Sequence, residues 1–116
     1  MDESVVKHLE QFRENESPQL DTVSLLLLKA AEEIERRGWC QEASTHNGAV
    51  CMEGAMLCAD GKKPTEFFGG TSYIAFYRVC DAIKPEGFAA PHEWNDQPGR
   101  TKEEVVAKLR AVALGG

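Results

Sequence analysis

The side chains with the most obvious chemical potential are the cysteines, four of which occur in 116 residues. Cys40, His46 and Cys51 bracket one polar loop, and Cys58 follows Cys51 by seven residues on the same face of a predicted helix. Thiolates and imidazoles are the usual ligands of tetrahedral zinc, so these four residues form a metal-binding alternative. The spacing lacks the CxxC pair with which such sites usually begin, and we expect no metal ion or other cofactor.

A cysteine nucleophile is the second chemistry that this loop could support. Cys40 would act with His46 or His92 as the base, provided that a nearby positive group favoured its thiolate. However, Cys40 follows a predicted helix C-terminus, whose partial negative charge disfavours the thiolate. The opposing interpretation treats the other three cysteines as small apolar side chains packed in the core.

The most distinctive polar cluster lies near the C-terminus and comprises His92, Trp94, Asn95, Asp96 and Arg100. In a functional interpretation, Asp96 is a base or a ligand and its charged neighbours lie close to it. In a structural interpretation, Trp94 fills the core while Asn95 and Asp96 bind loop amides ahead of the last helix. We favour the structural interpretation and retain the five residues as a candidate polar site.

Two apolar segments are candidates for contact with a partner protein. Val5, Leu9 and Phe12 recur at helical spacing near the N-terminus. Phe67 and Phe68 precede two glycines in a predicted loop, where they either anchor a partner or close one end of the molecule.

The elements that position these residues are predicted to be helices. A helix over about 22–37 has Asp21 as its N-cap and Gly38 after its last turn. Further helices are predicted over 49–59, over about 72–84, and after the capping box formed by Thr101 and Glu104. The helix over 72–84 carries one row of large side chains: Tyr73, Phe76, Tyr77, Cys80 and Ile83.

The segments between the helices contain turn signals. Asn47-Gly48 is a strong turn pair, so residues 40–48 are either a hairpin-like loop or coil. Residues 88–100 are predicted to be irregular. Gly54, inside the predicted helix over 49–59, lowers helix stability and indicates that another backbone passes close to it.

The predicted fold is all-α: a small single-domain, irregular bundle of four core helices around the 49–59 helix, plus an N-terminal helix. Residues 1–20 form an acidic arm and linker that carries half of the net charge, and residues 21–116 form the helical domain. The arm either packs on its own domain or contacts a sister chain or a partner.

Composition excludes several classes of function. A net charge of −6 and a pI near 5.0 argue against binding a nucleic-acid backbone through a broad basic face. The longest aliphatic run, residues 25–28, is too short for a membrane span. The acidic start lacks the pattern of a secretion signal, and four cysteines are too few for a disulfide scaffold. We therefore expect a cytoplasmic protein.

The order of several motifs resembles that of a known family. Arg37-Gly38-Trp39-Cys40-Gln41 ends one helix, Cys51-Met52-Glu53-Gly54-Ala55 begins the next, and Trp94-Asn95-Asp96 precedes Gly99-Arg100-Thr101. This pattern resembles a family of short bacterial and bacteriophage proteins of unknown function, over about 22–113. The chain departs from it at Glu42, where the family tends to have Gly. The resemblance implies a bacterial or phage setting and no particular chemistry.

The function expected from the sequence is non-catalytic binding of another protein, with a homodimer as a further outcome. A phage-encoded modulator of a host factor fits this description. The alternative is a small enzyme or metal-binding protein that uses the Cys40–Cys51 and Trp94–Asp96 loops together. A third interpretation has the acidic arm imitate nucleic acid on a basic partner, although a charge of −6 is modest for that role.

Overall fold

The computed structural model describes residues 20–115. Within this range the elements follow the order α1 (Thr22–Arg37), β1 (Thr45–His46), β2 (Ala49–Val50), α2 (Met52–Ala59), α3 (Thr71–Ile83), a 3-10 turn (Lys84–Glu86), α4 (Pro91–Asn95) and α5 (Lys102–Ala113). The predicted all-α class is confirmed, with one small hairpin added to it. The expected N-terminal helix lies outside the described residues. Among the helices from α1 to α5, none has the length and apolar character needed to cross a membrane.

Helix α1 has the predicted bounds because both of its ends carry capping signals. The Asp21 carboxylate accepts a hydrogen bond from the Ser24 amide at 2.8 Å, which satisfies a first-turn N–H. At the other end, Gly38 has a φ of +96° and its amide donates to the Ile34 carbonyl at 2.8 Å. Helix α1 packs against α5, α2 and α3, so α1 is the central helix and the prediction that the 49–59 helix is central is wrong.

The predicted helix over 49–59 is wrong in its first turn, because residues 45–50 form a hairpin. Strands β1 and β2 pair antiparallel across Asn47 and Gly48, whose φ angles are +51° and +87°. Two positive φ angles in a two-residue loop match the twist of the flanking strands. The Val50 amide donates to the Gly38 carbonyl at 3.0 Å and the Cys40 amide donates to the Val50 carbonyl at 3.1 Å, which fixes the hairpin to the end of α1.

Helix α2 begins at Met52 and is capped by a cysteine. The Cys51 sulfur accepts a hydrogen bond from the Gly54 amide at 3.3 Å. A Cβ atom on Gly54 would overlap the backbone oxygen of Ser44 and approach Pro64 Cβ to 3.2 Å. The predicted close approach of another backbone to Gly54 is therefore confirmed.

Helix α3 packs inward with its small side chains rather than its large ones. Its buried residues are Ser72, Ala75, Val79 and Ile83. Of the large row predicted from the sequence, only Ile83 is buried, whereas Tyr73 and Tyr77 are each 49% exposed. Small side chains allow α3 to lie close to α1, and the aromatic side of α3 is therefore left facing outward.

The prediction of irregular structure over 88–100 is wrong, because this segment contains α4. Pro91 takes the first helical position, where its missing N–H is not needed. The Glu93 carboxylate accepts hydrogen bonds from the Ala89 and Ala90 amides, both at 3.0 Å. A helix of five residues is too short to show an apolar period, which is why the sequence pattern did not reveal it.

Helix α5 follows the predicted capping box. Thr101 Oγ1 accepts from the Glu104 amide at 3.2 Å, and the Glu104 carboxylate accepts from the Thr101 amide at 2.9 Å. Five of its apolar side chains are buried and form its core face: Val105, Val106, Leu109, Val112 and Ala113.

Candidate functional site

Asn95 is fully buried at the centre of the predicted polar cluster. Its Oδ1 accepts hydrogen bonds from the Trp39 indole N–H at 2.7 Å and from the Met52 amide at 3.0 Å. Its Nδ2 donates to the Cys40 carbonyl at 3.1 Å and to Asp96 Oδ1 at 2.9 Å. An amide side chain with all four positions filled by protein groups is a structural junction, because no position is left for a ligand.

The segment that follows α1 is bound to the residues around Asn95. Asp96 Oδ1 accepts from the Glu42 amide at 2.9 Å. Gln41 Nε2 donates to the carbonyls of Asn95 and Gln97, at 3.0 and 3.2 Å. Asn95 and Asp96 do accept hydrogen bonds from backbone amides, as predicted. The amides are those of Met52 and Glu42, whereas the predicted amides lay in the segment ahead of α5.

Trp94 and Arg100 of the predicted cluster are also structural. Trp94 is 3% exposed, and the Arg100 guanidinium lies 3.6 Å from the centroid of its ring. The Trp94 indole N–H donates to the Glu86 carboxylate at 3.0 Å, and Lys108 Nζ lies 2.7 Å from the same carboxylate. These two donors, Lys108 first, hold the pKa of Glu86 below its usual value.

His92 is the member of the predicted cluster that faces solvent, with its side chain 57% exposed. Its ring Nδ1 lies 2.7 Å from the Glu53 carboxylate, and the same oxygen accepts from the His92 backbone amide at 2.7 Å. Beside this pair lies a cavity of about 270 Å³ whose lining includes Glu42, Cys51 and Asp96. The Cys40–Cys51 loop and the Trp94–Asp96 segment, which the enzyme or metal-binding alternative uses together, therefore both line this cavity.

The cysteines and His46 are dispersed in the described structure. Within residues 20–115, no group of three or more His, Cys, Asp or Glu side chains is arranged to hold a metal ion. His46 lies on β1, and Cys40 Sγ donates to the Ala43 carbonyl at 3.3 Å. Burial raises the pKa of Cys51 to about 11 and also raises the pKa of Cys40 and Cys58 above the usual thiol value. A raised pKa disfavours the thiolate that nucleophilic attack or metal ligation needs.

A second candidate site consists of apolar side chains on α3 and the loop before it. We call it the aromatic surface: Phe67, Phe68, Tyr73, Ile74, Phe76 and Tyr77. Phe67 is 91% exposed, while Tyr73, Ile74 and Tyr77 are each about half exposed. Neighbouring ring centroids lie 4.8 Å apart for Phe68 and Phe76, 5.5 Å for Phe76 and Tyr77, and 4.8 Å for Tyr77 and Tyr73. The rings therefore form one continuous row.

A groove of about 620 Å³ runs beside this row, between α3 and residues 87–89. Tyr77, Cys80 and Phe88 line it, together with the charged side chains of Asp81 and Lys84. Phe68 packs on Phe76, which also lines the groove, so the loop before α3 and the groove adjoin each other. Of the sequence-predicted contact residues, Val5, Leu9 and Phe12 lie outside the described residues.

Sequence analysis missed Tyr73, Ile74 and Tyr77 as surface residues because large apolar side chains at helical spacing are typical of a core face. A signal was present in the small residues of the same helix. Ser72, Ala75 and Val79 recur at intervals of three and four, and such a stripe permits close helix packing on the opposite side.

Comparison with known proteins gives a family and no activity. Neither a curated protein sequence nor a solved structure matches the chain significantly. A model described as "Family of unknown function (DUF6197)" matches residues 18–114, a range that includes every element from α1 to α5. The chain therefore belongs to this family of unknown function.

Proposed function

We propose that this protein binds another protein through the aromatic surface and has no catalytic role of its own. The observation that carries the proposal is the set of three half-exposed apolar side chains on α3, together with Phe67, which is 91% exposed in the loop that precedes α3. Contiguous exposed apolar side chains are typical of interaction sites, whereas single ones are ordinary. Tyrosine and phenylalanine bury a large area with few rotatable bonds, which makes them effective anchors.

The loop that presents Phe67 is held in place by hydrogen bonds. Lys62 Nζ donates to the carbonyls of Phe67 and Gly69, both at 3.3 Å. The buried Ser72 hydroxyl donates to the Gly69 carbonyl at 2.9 Å and accepts from the Gly69 amide at 3.1 Å. A side chain on a fixed loop loses little conformational freedom on binding, so its apolar area is available for affinity.

The shape of the site favours an amphipathic helix as the partner's contact element. An apolar row beside a groove is the arrangement that receives helical anchors at intervals of three and four residues. The net charge of −6 favours a partner with a basic rim. Association with such a partner slows as salt rises, because screening weakens the long-range attraction.

The biological setting is part of the proposal. We propose a cytoplasmic protein of bacterial or bacteriophage origin that modulates a host factor. The bacterial or phage origin rests on the resemblance of the sequence motifs, and the cytoplasmic location rests on the small number of cysteines. Val5, Leu9 and Phe12 are proposed, from their spacing in the sequence, as apolar contact residues of the arm.

Affinity capture with matched variants tests the binding proposal. The full-length protein, the double variant Phe67→Ser with Tyr77→Ser, and the control Leu114→Ser would each be used to capture proteins from bacterial lysate. Leu114 is 62% exposed, follows the last residue of α5 and is not part of the aromatic surface. We expect a partner that the wild type and the control retain and the double variant loses.

The captured partner would then be purified and its affinity measured for all three proteins. Loss of hot-spot side chains is expected to weaken binding by about 2 kcal/mol or more. Circular dichroism and thermal melts establish that each variant is folded. Equal binding by the wild type and the double variant would refute the proposal.

A second candidate function is favoured by the cavity beside Glu53 and His92. The carboxylate orients the imidazole through Nδ1 and leaves Nε2 for an incoming group, as in acid–base sites. The metal-binding form of this alternative has a direct test in elemental analysis of the purified protein. About one zinc per chain, lost in Cys40→Ser, would favour it over the binding proposal. We expect no stoichiometric zinc.

A further inference from the structure

The chain enters the described structure beside the aromatic surface. The Asp21 carboxylate binds the Arg78 guanidinium, with Asp21 Oδ2 2.6 Å from Arg78 Nη2. Arg78 also donates to the Ser24 hydroxyl at 3.2 Å. The side chains of Ile74 and Arg78 are four residues apart on α3 and therefore neighbours on one face. Asp21, at the start of the described chain, thus lies within one helical turn of the half-exposed Ile74.

The arm has an apolar stripe of its own. Val5, Val6, Leu9 and Phe12 recur at helical spacing, and residues 13–19 separate Phe12 from Leu20. Seven extended residues reach about 25 Å. Helix α3 has 13 residues and is about 20 Å long. The linker is therefore long enough to bring the stripe to any part of the aromatic surface.

We infer that residues 5–12 of the same chain occupy the aromatic surface in cis, and that a binding partner must displace them. The contact brings the apolar side chains of the arm onto Tyr73, Ile74 and Tyr77. The regulatory half of this inference rests on the proposed binding function, whereas the intramolecular contact does not. The arm then lowers the apparent affinity of the protein for its partner, because both compete for the same surface. The amphipathic stripe of the arm has the same chemistry as the partner's contact element.

Effective concentration gives the expected size of the effect. A short linker holds the arm at an effective concentration on the order of 1 mM near its site. If the free arm peptide binds the surface with a Kd of about 100 μM, the tethered arm covers it about nine-tenths of the time. A competitor then binds the wild type about tenfold more weakly than a variant whose arm has lost its apolar side chains.

The test uses a fluorescent synthetic peptide of residues 1–19 and four forms of the full-length protein. These are the wild type, the arm variant Leu9→Ser with Phe12→Ser, the arm control Gln11→Ser, and a surface variant that combines the arm changes with Tyr73→Ser and Tyr77→Ser. We expect the arm variant to bind the peptide about tenfold more tightly than the wild type and the control. The surface variant is expected to lose this binding.

Each other outcome overturns the inference. Peptide binding that is equal in the wild type and the arm variant shows that the arm does not cover the surface. Peptide binding that the surface variant retains places the arm elsewhere. A wild type that is dimeric by light scattering, with an arm variant that is monomeric, assigns the surface to the arm of a second copy. The proposed binding function is refuted by a different result: a double variant Phe67→Ser with Tyr77→Ser that binds the partner with unchanged affinity.

Discussion

Asn95 fills all four hydrogen-bonding positions of its side chain with protein groups from three segments of the chain. Its partners are the indole of Trp39, the amide that opens α2, the carbonyl of Cys40 and the neighbouring Asp96. A hydrophobic replacement of similar size would leave these partners buried and unpaired, which costs more than the bonds themselves contribute. A polar side chain at this position is therefore a requirement of the fold.

Asn95→Ala is expected to lower the free energy of unfolding by about 3 kcal/mol. Two donors lose their acceptor, the buried Met52 amide and the part-buried Trp39 indole, and an unpaired buried donor costs about 1–3 kcal/mol. Urea denaturation of the wild type and the variant measures the difference. Gln97→Ala, at an exposed neighbour, is the control and should change stability by less than about 0.5 kcal/mol. Unchanged stability of Asn95→Ala would contradict the structural role.

Glu42 has a φ of +65°, which is the left-handed region that favours glycine. Glu42→Gly is therefore expected to be more stable than Glu42→Ala by about 1 kcal/mol, since only the glycine relieves the backbone strain. Both variants remove the same carboxylate, so the comparison isolates the backbone. Thermal melts of the two proteins measure it. Equal melting temperatures of the two variants would show that the backbone at position 42 adopts an unstrained conformation in Glu42→Ala.

At the scale of elements, α2 and the hairpin are joined by a contact that excludes a side chain. Gly54→Ala adds a methyl group that overlaps the Ser44 carbonyl oxygen. Helix propensity alone favours alanine by about 1 kcal/mol, but overpacking costs about 1–3 kcal/mol, so we expect net destabilisation. Gly69→Ala is the control, because the nearest atom to its added Cβ lies at 3.5 Å in ordinary contact. Denaturation curves that favour Gly54→Ala over the wild type would refute the close approach.

Helix α5 is tied to the 3-10 turn through Glu86, which binds Lys108 and the Trp94 indole. Because the folded pKa of Glu86 lies below the usual value for a glutamate, this carboxylate stabilises the protein above about pH 4.5. That stabilisation is lost as pH falls through the folded pKa. Glu86→Gln should therefore be less stable than the wild type at pH 6 and approach it near pH 3, as measured by urea denaturation. Glu32→Gln, exposed on α1, serves as the control. A constant difference across this range would contradict the argument.

At the scale of the whole molecule, the domain is expected to fold without its first 17 residues. The family match begins at residue 18, and the core that the structure describes is built from Val23 onward. A chain beginning at Pro18 should lose less than about 3 kcal/mol, the scale of one large core side chain. Urea denaturation beside the full-length protein measures the loss. A larger loss, or a failure to fold, would make the arm part of the core.

The helices were predictable from the sequence where local signals agree. Asp21 and Gly38 delimit α1, and Thr101 with Glu104 begins α5, because a cap depends only on residues within one turn. The start of α2 and the existence of α4 were not predictable, because apolar residues at 49–50 fit a strand or a helix equally and five residues show no period.

For the candidate sites, the sequence indicated several of the residues involved but not the contacts that these residues make. Asn95 was recognised as part of a motif, but its partners Trp39, Cys40 and Met52 lie 40 or more residues away in the sequence, and no local rule reports such pairs. The row of large side chains on α3 was predicted without a direction, because periodicity gives the two sides of a helix and does not say which one is covered.

The hydrogen bonds of Asn95 also bear on the rates of folding and unfolding. Its hydrogen bonds to Trp39, Met52 and Cys40 close loops of 43 to 56 residues, and the closure entropy of such loops delays their formation. The hairpin and the individual helices involve near neighbours and are able to form earlier. Interactions that form after the folding barrier leave the folding rate unchanged and slow unfolding. We therefore expect the junction to govern the lifetime of the folded state, and with it the exposure of the chain to proteases, rather than the speed of folding.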